Sequence, residues 1–327
     1  MINFEYSRAA TVKSAVELLS KNPTGKFIAG GTNLVDLMKK GVMSPTRVID
    51  INGLPLKDLA ETADGVTIGA LAANSWLAEH ETIVKNYPLL SQALRAGASA
   101  QLRNMATVGG NMLQRTRCSY FYDLAMPCNK RTPNSGCGAL KGYNRMHAIF
   151  GTSEKCIAVH PSDMCIALVA LDATVTVAGA KGERKILFSD FHRLPGDTPE
   201  RDNNLGAAEL ITGITIPTNP FTKNVHYLKI RDRASYAFAL VSVAAALELN
   251  GDVIKSAALA MGGVAHKPWR LTNAEKFLTG KRASADNFKQ AAMIAMNGAK
   301  SFGENDFKLK MGPAAITEAL TKALKGI

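Results

Sequence analysis

Ala29-Gly30-Gly31-Thr32-Asn33-Leu34 joins a short apolar stretch, predicted to be a strand from Lys26, to a segment with a helical pattern that Thr32 or Asn33 would cap. The two glycines let the backbone approach a ligand closely. The first turn of a helix adds N–H groups without partners and the positive end of the helix dipole, and these features together favour a pyrophosphate. A plain turn between a strand and a helix has the same composition, so this loop by itself leaves both interpretations open.

A second loop of the same character is Ala106-Thr107-Val108-Gly109-Gly110-Asn111-Met112. Two such loops could hold one diphosphate from two sides, and the pair is more informative than either loop alone. Neither loop matches the dinucleotide-binding pattern G-x-G-x-x-G, and no G-K-[ST] follows the glycines as it does in a P-loop. The sequence therefore predicts a phosphate site of a different kind.

The chain has 327 residues, enough for about two domains, and a formal net charge of +12. Its basic residues are spread over most of the sequence. This distribution favours a solvated basic surface and an acidic partner subunit, and it gives little support for nucleic acid as a partner. No run of 18 apolar residues predicts a membrane span, and the first residues lack a secretory signal pattern, so any export is expected to depend on a partner's signal.

Apolar periodicity predicts a mixture of strands and helices. In the first two thirds of the chain the predicted strands are 47–51, 66–70, 174–177 and 209–216, and the predicted helices are 74–87, 88–97 and 164–171. Prolines and asparagines between Pro217 and Asn224 predict a domain boundary. Beyond this boundary the sequence predicts three strands, 225–230, 239–249 and 253–261, and three helices that begin near Thr272, Ser284 and Pro313.

Four of the five cysteines lie in a polar segment without periodicity; they are Cys118, Cys128, Cys137 and Cys156. An odd cysteine count argues against a complete set of disulfides, and the absence of C-x-x-C argues against a zinc finger. Metal ligation would supply the order that so long a loop otherwise lacks, and the nearby basic residues, Arg115, Arg117, Lys130 and Arg131, would stabilise a negatively charged cluster. A metal centre, disulfides and free thiols stay open here. Cys165 lies in an apolar helix and is expected to be a core residue.

The order of these motifs resembles that of the FAD-binding subunits of the molybdenum hydroxylases, a group that includes xanthine dehydrogenase, carbon monoxide dehydrogenase and aldehyde oxidoreductase. The resemblance covers essentially the whole chain. It is carried by A-G-G-T-N-L at 29–34, Q-L-R-N at 101–104, A-T-V-G-G-N at 106–111, H-P-S-D-M at 160–164 and K-I-R-D-R-A-S-Y-A-F-A-L at 229–240. The R-T-R-C insertion and the K-I-R-D-R-A-S-Y run are most similar to the flavin subunits of bacterial periplasmic aldehyde oxidoreductases.

This resemblance implies an α+β protein. Residues 1–222 would form the two-part FAD-binding fold of the vanillyl-alcohol-oxidase (PCMH) type, divided at about residue 55 and carrying a cysteine-rich insertion at 114–157. Residues 223–327 would form an α+β domain of the CO dehydrogenase flavoprotein type, with a three-stranded sheet and helices.

The resemblance also implies which residues bind FAD. The backbone of residues 29–34 (Ala29, Gly30, Gly31, Thr32, Asn33 and Leu34) would hold the pyrophosphate, and the second loop would contribute Thr107, Gly110, Asn111 and Gln114. Asp163 would accept hydrogen bonds at the ribose or adenine end. Leu210 or Ile211 would pack beside the flavin, Lys229 would lie near its polar edge, and Tyr236 would border the ring. From the sequence alone, Asp163 also fits an acid in the first turn of a helix, and Lys229 fits a solvated strand face.

Some members of the group carry a [4Fe–4S] cluster in an insertion at this position, so the resemblance implies that Cys118, Cys128, Cys137 and Cys156 are its ligands. The chain would be the flavin subunit of a heterotrimer with a molybdenum-cofactor subunit and a [2Fe–2S] subunit, and it would pass electrons from them to an external acceptor. It would contribute no catalytic acid or base, and it would be periplasmic through a partner's export signal, or cytoplasmic. The alternatives are a stand-alone FAD-dependent reductase or oxidase and a zinc-stapled basic binding module.

Overall fold

Residues 1–326 of the chain are described by a computed structural model, in which three β-sheets are covered by helices. The strands are β1 (Glu5–Arg8), β2 (Lys26–Ile28), β3 (Arg47–Asp50), β4 (Leu59–Thr62), β5 (Gly65–Gly69), β6 (Thr174–Gly179), β7 (Gly182–Leu187), β8 (Leu210–Pro217), β9 (Val225–Ile230), β10 (Val241–Asn250), β11 (Val253–Gly262) and β12 (Trp269–Arg270). The helices are α1 (Val12–Ser20), α2 (Leu34–Lys39), α3 (Asn74–Glu79), α4 (Glu81–Asn86), α5 (Pro88–Ala96), α6 (Ala100–Met105), α7 (Val108–Met112), α8 (Ser119–Tyr122), α9 (Asp163–Ala170), α10 (Phe188–Phe191), α11 (Thr272–Leu278), α12 (Ala285–Ala295) and α13 (Phe307–Lys325).

The first sheet is parallel, with the order β1-β3-β2, and helices α1 and α2 connect its strands. A capping box begins α1, in which the Thr11 hydroxyl accepts a hydrogen bond from the Ser14 N–H and the Ser14 hydroxyl accepts one from the Thr11 N–H, each at 3.0 Å. The first glycine loop follows β2 directly and leads into α2. It therefore lies at the carboxyl end of the sheet, where ligands bind in parallel α/β units.

The second sheet is antiparallel, with the order β4-β5-β8-β6-β7, and α3, α5 and α9 contribute to its core. All eight residues of α9 are buried, which explains why the residues that follow Asp163 in this helix are apolar on every side. Ser162 caps the helix, because its hydroxyl accepts a hydrogen bond from the Cys165 N–H at 3.2 Å. The helix predicted over 74–87 is instead two helices, separated at His80, whose backbone is extended.

The C-terminal sheet has four strands, in the order β12-β11-β10-β9. The prediction of three strands was wrong, because it missed the two-residue strand β12, which pairs with β11. Seven successive residues of β10, from Val241 to Leu247, are buried. Val241, Val243 and Leu247 belong to the core under α11, α12 and α13, whereas Ala244 and Ala246 belong to the core of the preceding sheet. Small residues on that face let α5 and α9 pack closely against the strand.

The last helix, α13, begins at Phe307, and the prediction that it begins near Pro313 was wrong. Proline is favoured in the first turn of a helix, which is why the sequence suggested that start. The structure extends the helix towards the N-terminus because Lys308 is fully buried and anchors this turn. Its ammonium group donates hydrogen bonds to the carbonyl oxygens of His147 at 2.9 Å and Gly263 at 2.6 Å.

The placement of a domain boundary near residue 222 stays a prediction; the segment lies in the connection between β8 and β9. Within residues 1–326 no helix combines the length and the apolar character that crossing a bilayer requires.

Candidate cofactor-binding site

A cavity of about 460 Å³ lies where the two glycine loops meet. Its walls include all of residues 29–34, together with Thr107 and Gly110 of the second loop and Leu210 and Ile211 of β8. Its volume is in the range of small-molecule and cofactor sites. The predicted residues of both loops are thus brought together, although they are far apart in the sequence.

The two loops pack directly against each other. A β carbon on Gly30 would lie 1.6 Å from the carbonyl oxygen of Met105, which precedes the second loop. Gly31 has a φ of +71°, a conformation that favours glycine. Thr107 caps α7, since its hydroxyl accepts a hydrogen bond from the Gly110 N–H at 3.2 Å. The N-termini of α2 and α7 therefore both face one cavity, as a bound diphosphate would require.

Asn33 does not cap α2 with its side chain, contrary to one of the options predicted from the sequence. Its Oδ1 instead accepts a hydrogen bond from the backbone N–H of Arg115 at 3.2 Å. Arg115 also lines the cavity, as do Lys26 and Arg201. Three acidic residues, Glu200, Asp202 and Glu209, line it as well, and Arg115 is paired with Asp202. The feature that suits the negative charges of a pyrophosphate is therefore the pair of helix N-termini with their backbone N–H groups.

Asn111 and Gln114 do not line the large cavity. The Gln114 amide donates a hydrogen bond to Asn111 Oδ1 at 2.8 Å, and the Ser162 hydroxyl donates one to the same oxygen at 2.5 Å. Ser162 lines a second cavity of about 160 Å³, whose walls also include Asp163 and Phe238. The second glycine loop is therefore connected by hydrogen bonds to this smaller cavity.

Asp163 and Lys229, predicted as separate contacts of the cofactor, form a buried ion pair with 2.7 Å between Oδ2 and Nζ. The Tyr227 hydroxyl donates to the other carboxylate oxygen at 2.8 Å, and Lys229 donates to the carbonyl oxygen of Ala96 at 3.0 Å. Burial, and then the Asp163 carboxylate, raise the pKa of Tyr227 well above its ordinary value, so this hydroxyl keeps its proton. The alternative that Lys229 lies on a solvated strand face is therefore wrong, whereas Asp163 does lie in the first turn of α9, as its alternative predicted.

Tyr236, predicted beside the flavin ring, lies outside the walls of both cavities, and 58% of its surface is exposed. Its φ is +52°, and its carbonyl oxygen accepts a hydrogen bond from the Arg233 guanidinium at 2.9 Å. Its contact with the flavin stays a prediction.

The four clustered cysteines, Cys118, Cys128, Cys137 and Cys156, surround one small pocket. Cys128 and Cys137 face each other in an isolated antiparallel β-bridge, and none of the five cysteines is in a disulfide. Within residues 1–326, no three of these four sulfurs lie within 4.8 Å of one another. Tetrahedral zinc, with Zn–S bonds of about 2.3 Å, would hold its sulfurs closer, at about 3.8 Å. Four cysteines around one pocket are a ligand set that could hold a metal centre.

Burial raises the pKa of the Cys118 thiol to about 12 and that of the Cys156 thiol to about 11. Thiolates in this pocket therefore need positive charge close by, as bound iron would supply. The His147 ring contributes a further contact, since its Nε2 lies 3.1 Å from Cys118 Sγ.

The cysteine-rich insertion is held to the rest of the protein by charged and polar side chains. Asp202 joins the two sites: its carboxylate accepts hydrogen bonds from Lys130 at 2.5 Å and from Arg115 at 2.7 Å. Asp202 and Arg115 line the large cavity, and Lys130 lines the cysteine pocket. Burial alone would raise the pKa of Asp202, but the Lys130 and Arg115 cations lower it well below its usual range. Arg115 and Lys130 thus form a charged bridge with Asp202 between the two sites. The other two basic residues near the cysteines have different partners: Arg117 pairs with Asp36, and Arg131 donates to the carbonyl oxygens of Tyr120 and Phe121.

Two protein families match consecutive parts of this chain. The family of the FAD binding domain in molybdopterin dehydrogenase matches residues 2–219, and the CO dehydrogenase flavoprotein C-terminal domain matches residues 226–312. The chain therefore belongs to the FAD-binding subunits of the molybdopterin dehydrogenases, which confirms the family resemblance and the α+β fold that it implied.

Among individual relatives, the chain is 48% identical to the aldehyde oxidoreductase FAD-binding subunit PaoB of Escherichia coli, over 98% of each chain. It is 31% identical to the glyceraldehyde dehydrogenase medium chain of Sulfolobus acidocaldarius, over 88% of this chain and 85% of that one. The fold also matches a solved structure of reconstituted CO dehydrogenase from Oligotropha carboxidovorans, with a TM-score of 0.79, 22% identity and complete coverage of both chains.

Proposed function

We propose that this chain is the FAD-binding, [4Fe–4S]-carrying electron-transfer subunit of a molybdenum-dependent aldehyde oxidoreductase. Its partners would be a molybdenum-cofactor subunit, where the aldehyde is oxidised, and a [2Fe–2S] subunit, in a heterotrimer that delivers electrons to an external acceptor. The observation that carries the proposal is the joint presence of the two-loop cavity and the four-cysteine pocket, bridged by Asp202.

The flavin part of the proposal rests on the large cavity. The backbone of residues 29–34, with Thr107 and Gly110, would hold the pyrophosphate at two helix N-termini, and Lys26 would add positive charge. Leu210 and Ile211 supply an apolar wall, against which an aromatic ring can pack. When bound, FAD supplies the redox chemistry, and the protein supplies position and electrostatics. Asp163, Lys229, Asn111 and Gln114 would act from the neighbouring hydrogen-bonded network.

The cluster part of the proposal rests on the cysteine pocket, with Cys118, Cys128, Cys137 and Cys156 as ligands. Cys118 and His147 line both this pocket and the 160 Å³ cavity, so a cluster here would be separated from that cavity by a single layer of side chains. When bound, a cluster supplies a one-electron redox centre, and its potential would respond to the surrounding charges and hydrogen bonds.

The partner subunits are proposed from the similarity to PaoB, which is named as the FAD-binding subunit of an aldehyde oxidoreductase and which this chain covers over 98% of its length. The net charge of +12 is consistent with docking against acidic surfaces of such partners. We also propose that its location, periplasmic or cytoplasmic, follows from the export signal of a partner.

The experiment that tests the proposal quantifies flavin and iron per chain, together with the visible spectrum, in the complex purified under anaerobic conditions. Cys128→Ser and Cys137→Ser should each lose the iron of the [4Fe–4S] cluster, while the iron of the [2Fe–2S] subunit and the FAD stay bound, because the cysteine pocket and the large cavity are separate. Cys165→Ala is the matched control, since Cys165 lies outside the cysteine pocket, and it should keep the iron. Unchanged iron in both serine variants would refute the ligand assignment.

The alternative of a stand-alone FAD-dependent reductase or oxidase is tested with the same material. The isolated chain, loaded with FAD, should not oxidise aldehydes, whereas the complete complex should reduce an artificial acceptor when aldehyde is added. Aldehyde turnover by the isolated chain would favour the stand-alone enzyme.

A further inference from the structure

A third group of metal-ligating side chains lies outside the two sites described above. His160, Cys165 and His192 each offer one ligand atom, and the three atoms lie within 4.8 Å of one another. All three residues are more than nine-tenths buried. Each comes from a different segment: His160 follows the cysteine-rich insertion, Cys165 lies in the first turn of α9, and His192 follows α10.

The imidazole groups are arranged as ligands are in metal sites. His192 Nε2 lies 2.8 Å from the carbonyl oxygen of Met112, so it carries the proton and donates to that oxygen. His192 Nδ1 therefore presents a lone pair, and it has no hydrogen-bond partner within the described part of the chain. A histidine ligand typically donates its other ring N–H to a carbonyl or carboxylate in this way, which sets the tautomer and orients the ring.

His160 also has a buried ring nitrogen without a hydrogen-bond partner among residues 1–326, namely Nε2. The centroids of the His160 and His192 rings lie 4.2 Å apart. Two buried nitrogens without partners carry an energetic cost that a hydrogen bond or a metal bond would remove. The Cys165 sulfur beside them supplies a third, softer ligand.

We propose that His160, Cys165 and His192 bind a divalent late transition-metal ion, Zn²⁺ in the first instance. Two imidazole nitrogens and one thiolate are ligands that zinc favours, with bonding distances of about 2.0–2.3 Å. The three ligand atoms already lie within 4.8 Å of one another. Binding would displace the thiol proton of Cys165 to solvent, so one thiolate and two neutral imidazoles would hold the ion. His160 also lines the 160 Å³ cavity, which gives the ion a route of entry and leaves room for a water molecule as a fourth ligand.

The effect of the ion would be to join three segments around the cofactor sites. His192 begins the connection that leads to Asp202, the bridge between the large cavity and the cysteine pocket. Cys165 lies two residues after Asp163 and is anchored to Ser162, which contacts the second glycine loop. A metal at this position would therefore hold the start of α9 and the Asp202 segment in a set arrangement. This inference is independent of the cluster proposed at the other four cysteines.

The test measures zinc and iron per chain by mass spectrometry in the full chain produced with added Zn²⁺. Wild type should contain about one zinc per chain. Cys165→Ala and His192→Phe should lose it and keep their iron, whereas Cys128→Ser should lose iron and keep zinc. Co²⁺ added to zinc-stripped protein should give a sulfur-to-cobalt absorption band in wild type and in Cys128→Ser, and no band in Cys165→Ala.

Cys165→Ser guards against misfolding, because serine is nearly the same size as cysteine, and its circular dichroism should match wild type. Absence of zinc and of the cobalt band in wild type would overturn the inference, as would retention of the metal in either Cys165→Ala or His192→Phe. The zinc inference does not require that Cys128→Ser loses iron. Failure of the cluster proposal can therefore be distinguished from failure of the zinc inference.

Discussion

Gly30 and Met105 lie in direct backbone contact, and a β carbon on Gly30 would come within 1.6 Å of the Met105 carbonyl oxygen. Gly30→Ala must therefore push the two glycine loops apart. Because the Met105 carbonyl oxygen belongs to the backbone and cannot rotate aside, we expect the free energy of unfolding to fall by about 3 kcal/mol or more, the upper end of the range for overpacked sites. FAD content per chain should fall together with stability, since both loops line the same cavity.

Gly53→Ala is the matched control for that variant. A β carbon on Gly53 would come no closer than 3.5 Å to a neighbour, and that neighbour is the flexible side chain of Arg8. Urea unfolding should give nearly equal stability for Gly53→Ala and wild type. A Gly30→Ala protein as stable as the control would show that the loops do not pack as described.

Gly110→Val separates cofactor binding from folding. Leaving aside its chain neighbours and the backbone of its own helix, Thr107 Oγ1 at 3.0 Å is the one atom of residues 1–326 within 4 Å of the position that a β carbon on Gly110 would take. The valine side chain would extend into the cavity that this residue lines, and it would occupy space needed by the diphosphate. We expect most of the bound flavin to be lost while the apoprotein stays folded, with a melting temperature close to that of wild-type apoprotein. Wild-type flavin content in Gly110→Val would contradict the phosphate site.

Much of the fold could be predicted where the deciding interactions are local. The apolar helix predicted over 164–171 and the strands predicted over 239–249 and 253–261 depend on neighbouring residues, and the structure contains that helix and both strands. The start of α13 could not be predicted, because it depends on Lys308 contacting His147 and Gly263, which are distant in the sequence. The strand β12 was missed for the same reason, since two residues carry no periodicity.

Only part of the candidate site could be predicted, because only some of its residues belong to short sequence motifs. Residues 29–34 and Thr107 were identified because they form short motifs, and both motifs line one cavity. Asp202 has no motif around it, and its importance comes from Lys130 and Arg115, which approach it from the insertion. The buried pairing of Asp163 with Lys229 was likewise invisible, because each residue separately fits a surface role.

That buried pair gives the third prediction. The side chains of Asp163 and Lys229 are only 8% and 4% exposed, so removing one partner leaves the other charge buried without compensation. Lys229→Met should therefore lower the free energy of unfolding by about 3–5 kcal/mol, as measured by urea denaturation of the apoprotein. The double variant Lys229→Met/Asp163→Asn should recover part of this loss, since neither buried charge remains.

An exposed pair on the same chain supplies the comparison. Arg282 and Asp252 are 78% and 60% exposed, and Asp252→Asn should cost no more than about 1 kcal/mol. Equal losses for Lys229→Met and Asp252→Asn would mean that Lys229 is solvated in the protein, and the network with Asp163 and Tyr227 would then be wrong.

The last prediction concerns the pH dependence of stability, and it rests on Lys308. Burial, and to a smaller extent the Arg145 guanidinium, lower the pKa of Lys308 from 10.5 to about 7, while its two hydrogen-bond acceptors are neutral carbonyl oxygens. Between these two values the unfolded chain binds a proton that the folded chain does not. The free energy of unfolding therefore rises with pH in this range. The contribution of Lys308 is complete above about pH 10.5 and is lost as the pH falls towards 7, with a slope of about 1.4 kcal/mol per pH unit.

Lys308→Met removes this titration, so the variant should be compared with wild type by urea unfolding at about pH 7 and about pH 9. The difference in unfolding free energy between the two proteins should shift by about 2–3 kcal/mol in favour of wild type at the higher pH. Other groups titrate in both proteins and cancel in the difference. Lys289→Met, at an exposed position of α12, should show no such shift. A pH-independent difference for Lys308→Met would mean that Lys308 keeps its ordinary pKa in the folded protein, and the buried contact between α13 and the end of the cysteine-rich insertion would then have to be solvated.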